Sequence, residues 1–324
     1  VEPALVLKGV RKTFGKTVAV EAMDLVVPRG ALYGVIGPNG AGKTTCIRMI
    51  MSILFADSGE LSVLGHRSAL EAKDRIGYLP EERGVYRKMR VGSFLTYVAR
   101  LKGLSLDEAE DRVPALLQKI GLPETEKKRC EDLSKGMLQR IQFVAAVIHK
   151  PDLLILDEPF SGLDPVSVRV LRDVVLEEHR RGATILLSTH VMVHAEEICQ
   201  HVVMIHQGRK VLDEPVAGLR RQYDPHALLF EPLDPRADVS PLSKLPGVAR
   251  VEASNGAYRI ALVDGADPAA FMPRVAATVP AARVELSRVR LEDVFIRIVS
   301  GGLHVGEAER LRATLIPESE GASV

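Results

Sequence analysis

The chain has 324 residues with 43 basic and 42 acidic side chains, a net charge of +1. That balance gives no argument for a polyanion partner, and nucleic acid is not expected. The three cysteines, Cys46, Cys130 and Cys199, are scattered and form no Cys-x-x-Cys pair, which excludes a disulfide framework and a cysteine zinc site and favours a reducing compartment. Trp is absent and aromatics make up 4%, so Leu, Val, Ile and Ala must form the core, as suits an α/β protein. Val1-Glu2-Pro3-Ala4 does not read as a signal peptide, and no apolar run reaches the roughly 18 residues that span a bilayer.

Leu5 to Thr13 and Val18 to Val27 read as strands around a turn at Gly15-Lys16, with Pro28-Arg29-Gly30 as the next turn. Phe14 falls at the first turn, where its ring can stack on a nucleotide base if the phosphate loop lies near. Leu32 to Ile36 is a buried strand. Gly37-Pro38-Asn39-Gly40-Ala41-Gly42-Lys43-Thr44-Thr45 follows, and Thr44 to Met51 reads as a helix. Strand, glycine loop and helix are the context that this phosphate-binding pattern requires. The glycines let backbone N–H groups turn toward phosphate oxygens, and the helix adds its N-terminal donors. Lys43 can reach the β- and γ-phosphates, and the Thr44 hydroxyl can help hold Mg²⁺.

Ser58 to Val63 and Ile76 to Pro80 read as further strands, and the polar loop from Glu81 to Tyr86 lies beyond the second. In an open α/β sheet, ligands bind beyond strand ends. Val91 to Lys102 and Ser105 to Ile120 read as helices, the second opened by a Ser105–Glu108 capping box and kinked or divided by Pro114. Leu133 to Met137 reads as a loop, and Leu138 to His149 as a helix. Leu153 to Glu158 is an apolar strand ending in two acids. Asp157 can enter a Mg²⁺ shell, and Glu158 can orient or deprotonate water. Pro165 starts a helix to Arg180, Ala183 to Ser188 is a buried strand, and His190 at its end can reach a γ-phosphate. A short helix over 191–200 and a hairpin around Gln207-Gly208 follow.

Near residue 221 the composition changes, and prolines recur at 225, 232, 235, 241 and 246. Extended pieces at Ala227–Phe230, Val248–Glu252, Tyr258–Val263 and Arg283–Leu286 alternate with helical ones at Ala269–Thr278 and Leu291–Val299. The expected fold is α/β: a P-loop nucleotide-binding domain over 1–220 with an edge antiparallel subdomain and a helical insertion at about 88–150. A small α+β domain over 221–300 and a polar tail at 301–324 complete it.

The motifs in this order resemble the nucleotide-binding subunit of ABC transporters. The resemblance covers residue 4 to about 220. It matches Phe14 to an adenine-stacking aromatic, and Gly37, Pro38, Asn39, Gly40, Ala41, Gly42, Lys43, Thr44 and Thr45 to the phosphate loop. Ser134, Lys135 and Gly136 match the signature that closes over the γ-phosphate of the opposite subunit. Asp157 matches the magnesium acid, Glu158 the general base and His190 the switch histidine, with Asp164 in the loop that crosses the dimer interface. Two positions depart from the family pattern: Glu81 replaces a glutamine near magnesium and water, and Leu133-Ser134-Lys135-Gly136-Met137 replaces Leu-Ser-Gly-Gly-Gln.

The run from Tyr78 to Gly84, together with that signature, is similar to exporter ATPases of the ABC-2 kind. So is the C-terminal region through Leu291-Glu292-Asp293-Val294-Phe295. The resemblance implies ATP and Mg²⁺ as ligands, and a homodimer (or a pair with a paralogous ATPase) in the ATP-bound state. It also implies an integral-membrane permease as partner and a peripheral place on the cytoplasmic side of the membrane. An importer ATPase, a soluble ABC ATPase and a slow nucleotide switch are the alternatives. The absence of coiled-coil arms and of a second phosphate loop weighs against the soluble one.

Overall fold

The computed structural model describes residues 2–82, 84–222, 227–254, 256–263, 265–287 and 290–300. The tail expected at 301–324 lies outside them. The described residues fall into two compact units, one over 2–216 with 295–300 and the other over 217–294.

In the first unit, β1 (Pro3–Phe14) and β2 (Thr17–Pro28) form a hairpin in which Phe14 pairs with Thr17. The chain continues through β3 (Leu32–Ile36) and α1 (Lys43–Ile50), and β4 (Ser58–Val63) then returns to pair antiparallel with β1. These strands make a three-stranded sheet in the order β2-β1-β4. Beyond it come β5 (Ile76–Leu79), α2 (Val91–Leu101), α3 (Leu106–Lys119), α4 (Lys135–Val147) and β6 (Leu153–Asp157). The chain goes on through α5 (Pro165–Arg180), β7 (Thr184–Thr189), α6 (Met192–Ile198), β8 (His201–His206) and β9 (Arg209–Pro215).

The central sheet has the order β5-β6-β7-β3-β8-β9, parallel except for β9. Every residue of β3, β6 and β7 is buried, which is why these strands read as unbroken apolar runs. The register sets Ile36 beside Thr189 and Asp157 beside Ser188. The ends of β3, β6 and β7 therefore share one edge of the sheet.

Two sequence expectations change. α3 runs through Pro114 without a break, so the proline does not divide it. Its capping box is present, with Ser105 Oγ accepting from Glu108 N and the Glu108 carboxylate accepting from Ser105 N. The expected loop at Leu133–Met137 is in large part helix: Ser134 is the N-cap and Lys135 begins α4. Ser134 Oγ accepts from Met137 N at 3.3 Å, and this side-chain bond starts the helix.

The second unit begins in α7 (Val216–Gln222), a helix the sequence reading omitted. It contains β10 (Ala227–Pro232), β11 (Val248–Ser254), β12 (Ala257–Leu262), α8 (Pro268–Thr278) and β13 (Ala281–Leu286), and α9 (Leu291–Ser300) ends the described chain. Its strands form an antiparallel sheet in the order β11-β12-β10-β13, around a core that includes Leu228, Phe230, Leu242, Ile260 and Val275.

Candidate functional site

The glycine loop is shaped by what presses on it. Gly42, just before α1, has φ +105°, and a Cβ there would overlap the carbonyl oxygen of Ala19 on β2. A Cβ on Gly37 would overlap the carbonyl oxygen of Ile205 on β8. Only glycine admits both approaches. The hairpin turn between β8 and β9 closes over the loop, with Gly208 N donating to Ala41 O at 2.9 Å. Inside the loop, Lys43 Nζ donates to Gly37 O at 2.8 Å and Pro38 O at 3.2 Å. Asn39 and Gly40, at the tip, are exposed, and Thr44 and Thr45 are half-buried. Burial lowers the Lys43 pKa, opposed by the carboxylates of Glu158, Asp157 and Glu81.

At the end of β6, Asp157 is buried and its Oδ1 accepts a short hydrogen bond from Ser188 Oγ. Its Oδ2 is buried without a hydrogen-bond partner. Burial raises the Asp157 pKa, and the hydroxyls of Ser188 and Thr44 pull it the other way. An orphaned carboxylate oxygen beside a threonine hydroxyl fits the oxygen-ligand chemistry of Mg²⁺. Among the described residues no group of three or more His, Cys, Asp or Glu side chains is placed to hold a metal, so nucleotide and water oxygens would have to complete such a shell.

Glu158 is also buried and takes φ +49°, the left-handed region that residues with a Cβ seldom adopt. Its N–H donates to Ser188 O at 3.1 Å. Its carboxylate Oε1 lies 2.9 Å from His190 Nδ1 and 3.7 Å from Lys43 Nζ. The His190 pKa is raised, first by the hydrogen bond to Glu158, against a smaller lowering by burial. Glu81, exposed beyond β5, acts through its charge on Lys43, Asp157 and His190. Lys43, Thr44, Asp157, Glu158, His190 and Glu81 thus converge on one edge of the sheet.

Phe14 and the signature residues stand apart from that cluster. Phe14 is 49% exposed at the end of β1, with Lys12 Nζ 5.7 Å from its ring centroid. It belongs to the hairpin whose Ala19 touches Gly42. Ser134 and Lys135 are exposed at the head of α4 and Gly136 is half-buried. Among the described residues no hydrogen bond or ion pair joins them to the phosphate loop. Asp164 caps α5, accepting from Val166 N and Ser167 N. Arg83 lies outside the described residues.

The sequence reading missed two contributors, Ser188 and Gln139. Ser188 looked like one more residue of a buried strand. Gln139 lies inside the expected helix from Leu138 to His149 and was not singled out, yet it is 7% exposed and its Nε2 donates to Pro159 O at 2.7 Å.

A glycine-rich loop between a buried parallel strand and a helix, facing acids at a neighbouring strand end, defines a P-loop nucleotide-binding protein. Residues 20–161 match the family described as ABC transporter, and residues 215–299 match the C-terminal domain of DrrA1-3-like ATP-binding proteins. The chain is 44% identical over 219 residues to the uncharacterized ABC transporter ATP-binding protein YhaQ of Bacillus subtilis, covering 68% of this chain and 74% of that one. It is 39% identical over 212 residues to the Nod factor export ATP-binding protein I of Cupriavidus pinatubonensis, covering 64% and 65%. A solved structure of an ATP-binding subunit of an ABC transporter superposes with a TM-score of 0.64 at 34% identity, over 68% of this chain and 93% of that one. The chain belongs to the ATP-binding proteins of ABC transporters, a family that binds and hydrolyses ATP and pairs with membrane permeases. Among the described residues no helix is long and apolar enough to cross a membrane.

Proposed function

We propose that this chain powers export through a separate membrane permease, docked peripherally on the cytoplasmic face, with ATP hydrolysed at the edge formed by β3, β6 and β7. The observation that carries the catalytic part is the Glu158 carboxylate, held between His190 and Lys43 beside the phosphate loop. In this reading the loop from Gly37 to Thr45 cradles the phosphates and Lys43 turns from Glu158 toward them. Glu158 takes the proton of the attacking water, and His190 stabilises the charge that develops on the γ-phosphate. Asp157 Oδ2 and Thr44 would hold Mg²⁺, which when bound supplies charge neutralisation at the β- and γ-phosphates. Glu81 adds a carboxylate next to that shell, and Phe14 stacks on the base.

The signature at the head of α4 carries exposed donors that no group in the cluster uses. A second ATPase subunit packed head to tail would bring its nucleotide to Ser134, Lys135 and Gly136, so each site needs two chains, either two copies or a paralogous pair. The ATP-binding domain then spans 1–220. The domain over 221–300 is accessory, contributing to dimer contacts or regulation. The direction of transport rests on the likeness to a Nod factor export protein and on the DrrA-like C-terminal match.

The groove near Glu81 to Leu95 is the proposed permease contact. In that stretch Tyr86 packs edge-on against Tyr97, with ring centroids 5.7 Å apart, and both are exposed. A cleft lined by Arg90, Thr96, Tyr97, Glu126 and Lys127 adjoins them.

The test uses Glu158→Gln. The variant should hydrolyse ATP at least about a hundredfold more slowly and accumulate as an ATP-bound dimer that recovers a polytopic permease from solubilised membranes. Unchanged turnover in a monomer sinks the catalytic assignment. Recovery of ribosomal or DNA-associated proteins alone sinks the transport assignment.

A further inference from the structure

We propose that Gln139 is a positioning residue for Glu158, holding from α4 the backbone turn on which that carboxylate is presented. The proposal rests on the reading of Glu158 as the base. Glu158 stands in the left-handed region at φ +49°, so its conformation must be imposed by its surroundings. The restraints come from both sides. Its N–H is fixed by Ser188 O at 3.1 Å, and its C=O accepts from Ser161 N at 3.2 Å. Gln139 Nε2 adds a donor at 3.4 Å to that same carbonyl and a shorter one, 2.7 Å, to Pro159 O.

Pro159 has no N–H of its own, and a side chain from another helix supplies the donor to its carbonyl. With two carbonyls in front of it, the amide can only face them with its nitrogen. The other end of Gln139 makes the point differently. Its Oε1 is buried with no partner, an arrangement that lowers stability. An apolar side chain of the same length would avoid that loss but would leave Pro159 O without this donor, so the two costs oppose each other and stability alone does not select a glutamine here.

The tie has a consequence for signalling within the subunit. Gln139 lies one helical turn and a half beyond Ser134, the cap of α4. Near the head of the same helix a Cβ on Gly136 would stand 3.3 Å from Leu163 Cδ2. α4 therefore holds Glu158 and Pro159 through Gln139 and passes close to Leu163 at its head. In the proposed dimer, where Ser134 faces the partner's nucleotide, a displacement of α4 reaches this subunit's own Glu158 through Gln139. Occupancy of one site is thereby communicated to the base of the other.

The test is a kinetic cycle on the full chain with Gln139→Met, which keeps length and removes both donors. The expected result is a kcat lower by roughly tenfold to a hundredfold, with KM for ATP and the melting temperature little changed. In a Glu158→Gln background the same substitution should not slow the residual rate further, because the group it positions is already gone. An unchanged kcat, or an equal slowing in both backgrounds, overturns the proposal. If Gln139→Met does not fold, Gln139→Asn, whose amide falls one methylene short of Pro159 O, carries the same expectations. If Glu158→Gln alone leaves turnover intact, it is the assignment of the base that fails, and the two failures are told apart.

Discussion

His190 Nδ1 and Lys43 Nζ approach the same oxygen of Glu158, at 2.9 Å and 3.7 Å. A buried carboxylate thus has two nitrogen partners of different kinds, an imidazole and an ammonium. The hydrogen bond to Glu158 raises the His190 pKa in the folded chain. A histidine raised in this way contributes stability that is fully present below its unfolded value of about 6.5. That contribution is lost as pH rises through the folded value. Urea unfolding of the nucleotide-free chain between pH 6 and 9 should therefore show the advantage of wild type over His190→Asn shrinking as pH increases. An advantage that stays constant across that range would mean that the Glu158 contact does not govern the titration.

Asp57 fixes the strand end that carries Phe14. Its carboxylate accepts from Lys12 Nζ at 2.8 Å, from Thr13 N at 2.7 Å and from Thr13 Oγ1 at 2.6 Å. These bonds, that of Lys12 first, hold the Asp57 carboxyl well below the usual carboxylate range. The same Lys12 ammonium stands 5.7 Å from the Phe14 ring centroid. Asp57→Ala should free Lys12 and Thr13 and let the ring wander. ATP binding should weaken by roughly threefold to tenfold, a part of what one stacked base is worth, while binding of inorganic tripolyphosphate, which has no base, stays unchanged. Titration calorimetry with both ligands measures this. Equal weakening for the two would locate the effect in the phosphate loop rather than at the aromatic.

How much was legible follows from how local each signal is. Gly37 to Thr45 announces itself because a glycine loop, a lysine and a hydroxyl at fixed spacing depend on nothing far away. The ends of β6 and β7 could be read because strands buried on both faces leave unbroken apolar runs that stop at polar residues. The head of α4 was misread for a physical reason. Ser134 supplies half of a capping box, but Met137 at the reciprocal position cannot return the hydrogen bond, and Gly136 next to it reads as a turn. Ser188, Gln139 and the left-handed backbone of Glu158 leave no local trace. Each acts across 19 to 31 positions of sequence, by pairings that exist only once the sheet is assembled. The strand order β5-β6-β7-β3-β8-β9 was hidden for the same reason.

The capping box of α3 offers a stability test far from the nucleotide. Ser105 Oγ accepts from Glu108 N at 3.2 Å, and Glu108 Oε2 accepts from Ser105 N at 2.8 Å. Ser105→Ala should destabilise the chain by about 1 kcal/mol and leave ATP hydrolysis unaltered. Adding Glu108→Ala should cost less than it does alone, because half of the reciprocal pair is already gone. A chemical-denaturation cycle reads the coupling, and additive costs would show that the two bonds form independently.

The glycine loop allows its conformational and its steric requirements to be separated. Gly40 and Gly42 both have positive φ, +76° and +105°. A Cβ at Gly40 would meet nothing within 4 Å, whereas one at Gly42 would overlap the Ala19 carbonyl and stand 3.5 Å from Gly208 Cα. Gly40→Ala should therefore carry only the left-handed backbone penalty, about 1–2 kcal/mol. Gly42→Ala carries that penalty and must also push β2 away from the start of α1, where overpacking adds about 1–3 kcal/mol. In thermal unfolding without nucleotide, Gly42→Ala should melt below Gly40→Ala. It should also expose the β2 strand more readily to hydrogen exchange around Ala19. Equal melting temperatures with unchanged exchange at Ala19 would mean that the loop yields by itself, and that its fit against β2 does not fix the position of Lys43.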